Sequence, residues 1–98
     1  MAYPFVDPLT SITNGTLSVG ATTTVLLAEN LDRKWAVFVN DSDEVIYLGF
    51  GTAAVLNTGL RLNAAGGTFE MTTFNCYQGA INAICTSGTK NLAYMEGT

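Results

Sequence analysis

The sequence predicts an all-β protein, an antiparallel two-sheet sandwich of jelly-roll type with an extended N-terminal arm. Short apolar runs recur between clusters of Gly, Asn, Ser and Asp, which is the grammar of strands and tight turns. No window of about eleven residues holds the i, i+3, i+4, i+7 spacing of an amphipathic helix without a glycine, so essentially no helix is expected. About nine strand-length runs then have to share one small core, and two stacked sheets accommodate them best. A small closed barrel is the alternative.

The arm spans residues 1–12 and the sandwich domain residues 13–98. Tyr3, Pro4, Phe5, Val6, Pro8, Leu9 and Ile12 make the arm large and apolar, while its two prolines exclude a helix or a central strand. Such side chains need cover, either across their own sheet or on a neighbouring molecule, and they are read here as partner contacts. From Asn14-Gly15 onward, turn residues separate strands expected at 16–19, 22–28, 34–40, 44–50, 53–56, 59–62, 67–73, 79–86 and 90–96. Residues 33–40 and 44–50 read as one hairpin closed by Asp41-Ser42-Asp43. In 68–72 Phe69 and Met71 share one face and Thr68, Glu70 and Thr72 the other, so that strand is half-buried. Residues 35–39, 45–50 and, apart from Asn82, 80–85 are apolar on both faces, which calls for cover on both sides, from the opposing sheet and from an arm, a loop or a neighbouring subunit. Trp35, Phe38, Tyr47, Phe50, Tyr77 and Tyr94 are the aromatic candidates for core or interface.

Composition limits the function classes. A chain of 98 residues supports one core, and only 12% of it is charged against a usual fraction of roughly 25%. A surface so poor in charge favours an oligomer or a docked subunit over a free monomer. Arg33, Lys34, Arg61 and Lys90 are scattered against eight acidic residues, so no cationic patch for nucleic acid is expected. The first residues lack a basic leader pattern and no apolar run approaches the ~18 residues of a membrane helix, which places synthesis in the cytoplasm with no membrane partner. Cys76 and Cys85 are accordingly read as reduced. Both follow Trp35, so the cysteine–tryptophan–cysteine order of an antibody-type sandwich is missing, and only a turn at 77–79 would bring the two thiols together.

Nothing in the chain points to catalysis. It holds no histidine, the commonest general base and zinc ligand. The carboxylates of Asp41, Asp43 and Glu44 crowd one turn, which reads as solvated; as a calcium loop it lacks the ligand spacing and glycine of an EF-hand. The glycines at 49–51 and 66–67 neither open a helix nor precede a P-loop lysine. No catalytic residue, metal ligand or cofactor is assigned. Tyr47, Phe50, Phe74, Tyr77 and Tyr94 could stack on sugars or bases, with Tyr47, Phe50 and Tyr77 near a groove, the alternative to a packing role in core or interface.

Residues 33–96 resemble small virion proteins of tailed bacteriophages. The resemblance rests on RKWAVFVN, EVIYLGFGTAAV, NTGLRLNAAGGTFEM and the closing YQGAINAICTSGTKNLAYMEG, where a Gly-Ala-Ile strand, a Ser-Gly-Thr turn and a Tyr-Met-Glu strand end the chain. It implies a β-sandwich subunit of the capsid decoration (cement) type. Such a subunit would be a homo-oligomer, a trimer, docked on the major capsid protein of the virion. Tail, neck and head-fibre components use similar small sandwiches, so such a component, or a module that binds a host glycan, is the alternative.

Overall fold

The computed structural model describes residues 8–98, so Tyr3, Pro4, Phe5 and Val6 lie outside the described residues. Eight strands follow one another: β1 (Ile12–Val19), β2 (Thr24–Leu27), β3 (Trp35–Asn40), β4 (Ile46–Phe50), β5 (Leu60–Leu62), β6 (Gly67–Met71), β7 (Ile81–Cys85) and β8 (Lys90–Gly97). They form two antiparallel four-stranded sheets, ordered β1-β8-β3-β6 and β2-β7-β4-β5. Among the described residues there is no helix.

The period of two decides which side chains meet between the sheets. In β3, Ala36, Phe38 and Asn40 are buried while Trp35, Val37 and Val39 are half-buried on the other side. Register places Phe38 between Phe69 of β6 and Tyr94 of β8, and Tyr94 in turn lies over Gly15 of β1. A side chain at Gly15 would occupy the space of the Tyr94 ring. From the opposite sheet Leu26, Ile46, Leu48, Leu62, Ile81, Ala83 and Cys85 complete the core. Each large aliphatic group fully buried there contributes about 1.5–3 kcal/mol.

The expected hairpin of residues 33–40 and 44–50 does not form: β3 belongs to one sheet and β4 to the other. Its turn is a corner between layers. Asn40, fully buried, donates through Nδ2 to the carbonyls of Glu44 at 2.7 Å and Leu62 at 2.9 Å, while its Oδ1 accepts from the Ser42 hydroxyl at 2.6 Å. These bonds satisfy backbone groups that strand pairing would have satisfied in a hairpin. Of the seven connections only β4 to β5 stays within a sheet.

The expected strand at 53–56 is a loop. Residues 51–58 arch back over the outer face of the β2-β7-β4-β5 sheet, where Ala54 packs with Tyr47 and Ile84 and its N–H donates to Thr23 Oγ1 at 2.8 Å. Asn82 Nδ2 donates to the Thr52 carbonyl at 2.6 Å, and the Tyr47 hydroxyl to Asn57 Oδ1 at 2.9 Å. Backbone reversal is concentrated at Asn57 (φ 63) and Gly59 (φ 82). The second apolar face of β4 and β7 is therefore covered by the chain itself. β1 also begins earlier than expected, at Ile12, because the N–H groups of Thr10 and Ser11 donate to the Thr98 carbonyl and lengthen its pairing with β8.

Candidate functional site

The two ends of the sandwich differ in chemistry. At one end the turns 41–45 and 86–89 are joined by polar bonds: Lys90 Nζ to Asp43 Oδ1 at 2.7 Å, and the Ser87 N–H to Glu44 Oε1 at 2.7 Å with the Ser87 hydroxyl on Oε2. The bond from Lys90 holds the Asp43 carboxyl below its ordinary pKa, and the bond from the Ser87 hydroxyl does the same for Glu44. The turn expected to be simply solvated is thus latched, and its oxygens serve protein donors. No cluster of metal-ligating side chains occurs among the described residues.

The opposite end gathers the 28–34 and 72–80 loops with the first described residues and Thr98. Arg33 is its keystone. Its side chain is fully buried; Nε donates to Glu96 Oε2 at 2.7 Å, Nη1 to the carbonyls of Tyr77 at 2.7 Å and Gly79 at 3.0 Å, and Nη2 to that of Ala28 at 2.6 Å. One guanidinium therefore ties both loops to β8, using the planar fork that a lysine lacks. Gln78 adds bonds to the carbonyls of Leu31 and Arg33, and the Asn30 N–H donates to the Gln78 carbonyl.

On this rigid base large apolar groups face outward. Phe74 is 82% exposed and Leu31 71% exposed. Tyr77 rests on the backbone of Gly51 and Gly79 and packs at 5.8 Å against Phe50 with the rings tilted by 57°, and Phe50 in turn meets Phe69 edge-on at 6.1 Å. Beside them an open hollow of about 510 Å³ is lined by Thr10, Leu31, Asp32, Lys34, Gln78 and Thr98.

The sequence candidates separate clearly in space. Phe38 is core, and Tyr94 packs against the core. Phe50 and Tyr77 are in ring contact, whereas Tyr47 lies apart under the 51–58 loop, so the three form no common platform. Trp35 is on the outer face of the β1-β8-β3-β6 sheet, its indole N–H donating to Glu70 Oε2 at 2.6 Å. Pro8 is exposed; Leu9 packs over Gly97 and Trp35; Ile12, 49% exposed, opens β1 on that same outer face.

Cys76 and Cys85 are free thiols. Burial pushes both up in pKa, and Cys85 lies against the carbonyls of Val19, Gly20 and Ser87.

The keystone role of Arg33 and the exposed Leu31 were not singled out from sequence, whereas Phe74 was one of the turn aromatics named as candidates for stacking. An arginine heading an apolar strand was visible, but its acceptors lie 5, 44, 46 and 63 positions away. No local pattern encodes those separations. No family model, curated protein or solved structure matches the chain.

Proposed function

We propose that the protein is a structural component of a tailed-bacteriophage virion, docking on the assembled capsid as an oligomer, a trimer, and strengthening the shell at seams between subunits of the major capsid protein. The observation that carries this reading is the loop end, where Leu31 and Phe74 stand exposed on loops fixed by the Arg33 bonds. Apolar groups on a preorganised base bind without a large ordering cost. Burying each contributes about 1.5–3 kcal/mol before the entropy of association, and an oligomer repeats the contact on one particle.

Three further features support the reading. Residues 33–96 resemble phage virion proteins, charge is only 12% of the chain, and its formal net charge of -4 disfavours adhesion to packaged nucleic acid. We also read the order β1-β8-β3-β6 facing β2-β7-β4-β5 as a jelly roll; this double-sheet plan is used by viral capsid and lectin domains. The role is non-enzymatic, with synthesis in the host cytoplasm and residence in the virion.

A second reading is a host-glycan-binding module, or a tail, neck or head-fibre component of the particle. The hollow between Asp32, Lys34 and Gln78 favours it, because it offers hydrogen-bonding groups beside the apolar Leu31. Light scattering of the purified protein and sedimentation with particles lacking it test the first reading. An oligomer that binds particles in many copies, and that loses particle binding in the variant L31D/F74D, is the expected result. A monomer that ignores particles, or glycan binding with particle binding unaffected by the variant, would count against it.

A further inference from the structure

Four strands form the margins of the two sheets, and three of them are guarded. β2 has four residues and a register break between Val25 and Leu27. β5 has three residues and carries Arg61, and β6 has five and carries Glu70. Shortness, irregularity and charge are the devices that keep a sheet edge from pairing with another chain. β1 has none of them. It runs for eight residues, ITNGTLSV, in unbroken register with β8 and with neither a charge nor a proline. Ser11 and Thr98 exchange both of their backbone hydrogen bonds, which fixes the alternation along the pair. Thr13, Gly15, Leu17 and Val19 therefore bond to β8, while Ile12, Asn14, Thr16 and Ser18 turn their N–H and C=O groups to the open edge. These edge groups have no partner among the described residues. Their side chains are exposed and border the apolar outer strip of Val37, Val39, Ala93 and Met95.

We propose that β1 is the edge through which two copies of the chain join: β1 pairs antiparallel with β1 of a second copy about a two-fold axis at Gly15, making one continuous sheet. Only residues that face the open edge can bond across it. The register that sets Gly15 against Gly15 places Ile12 opposite Ser18 and Asn14 opposite Thr16, each pair twice by symmetry, and so uses all four outward residues. Four pairs exchanging two bonds each close the seam with about eight hydrogen bonds. An axis at Asn14 or at Thr16 leaves one outward residue of each copy outside the paired strands. At the axis the two glycines form a non-bonded pair, where antiparallel strands approach to about 4.5 Å between Cα atoms. Across the seam the side-chain neighbours are neutral, so no like charges meet. The occupant is a second copy because the edge is complementary to itself: pairing like with like consumes both edges and closes at two, without growing into a filament. The contact goes beyond the docking reading and does not rest on it. It is a two-fold contact made by backbone groups of β1, separate from the three-fold association of that reading, and it links one such oligomer to the next.

The full-length variant T16P tests the pairing. The Thr16 N–H points to the open edge, so proline there removes a donor of the seam and no bond to β8. Residue-resolved amide exchange by NMR is compared with sedimentation mass for the native chain, T16P and N14K/T16K, over a hundredfold range of protein concentration. The expected result for the native chain is a mass of an even number of subunits at the upper concentrations, with the Ile12, Asn14, Thr16 and Ser18 amides slowed at least tenfold there. Both the slowing and the pairing are lost in the two variants. N14K/T16K gathers like charges about the axis without a proline, so it carries the comparison if circular dichroism shows T16P to be unfolded. Edge amides that exchange as fast as exposed ones at every concentration overturn the pairing. So does their protection in a chain of monomer mass, because the cover then comes from within the subunit. Association that survives both variants also overturns it, since another surface is then responsible. L31D/F74D is expected to keep the protected edge while losing particle binding, so failure of the edge contact is distinguishable from failure of the docking reading.

Discussion

Removing the Arg33 guanidinium strands four acceptors at once: the Glu96 carboxylate and the carbonyls of Ala28, Tyr77 and Gly79. Breaking one partner of a buried ion pair leaves an uncompensated charge, at a typical cost of about 3–5 kcal/mol. R33M is therefore expected to lower the stability read from urea denaturation by that amount, and R33K to recover only part of it, since a single ammonium cannot span the fork. A loss below about 1 kcal/mol in R33M would show that the keystone is dispensable. Cysteine chemistry follows the same logic of burial. Cys85 should resist alkylation until the chain unfolds, because its thiol is buried and its pKa is raised by that burial. Mass spectrometry after iodoacetamide treatment at neutral pH checks this, and rapid labelling of Cys85 in the native protein would contradict it.

At the scale of elements, connections carry as much information as strands. Gly59 holds φ 82, and a methyl group there would meet the Leu48 carbonyl oxygen. G59A should consequently destabilise the β4–β5 connection by about 1 kcal/mol or more, read as a lower urea midpoint; an unchanged midpoint would mean the turn can relax. The latched turns make a pH prediction. Asp43 and Glu44 have lowered carboxyl pKa values in the fold, so the unfolded chain binds protons first as pH falls. Their stabilisation is present above about pH 5 and is lost as pH drops through the depressed folded values. The urea midpoint should fall over that window, and D43N/E44Q should flatten the fall; identical profiles for both proteins would sever the link.

Much of this element scale was legible in the sequence. Alternation in 68–72 and the double apolar faces of 35–39 and 80–85 marked strands directly, since side-chain period and burial are local properties. The misreadings share a cause. The turn at 41–43 has the composition of a hairpin, yet whether two successive strands pair depends on where Leu62 and Ser87 arrive from elsewhere in the chain. Likewise 53–56 is apolar because it covers Tyr47 and Ile84, and apolar cover reads like a strand. The exposed Phe74 resembled every other aromatic in a turn until its loop was fixed in space by Arg33.

For the whole molecule, asymmetry is the organising fact. One end is closed by polar latches and the other presents Leu31 and Phe74 on braced loops, while one sheet is covered by its own 51–58 loop and the other keeps an apolar outer strip. Leu31 and Phe74 are the most exposed of the large apolar side chains and share this end, which suits it to sit on a surface. A reconstruction of the virion to which the protein is proposed to belong tests this most directly. The account predicts many copies on the outside of the shell, each with the 28–34 and 72–80 loops against the capsid protein and the 41–45 and 86–89 turns facing solvent. Absence from the virion, or attachment with the latched turns against the shell and Phe74 in solvent, would contradict it.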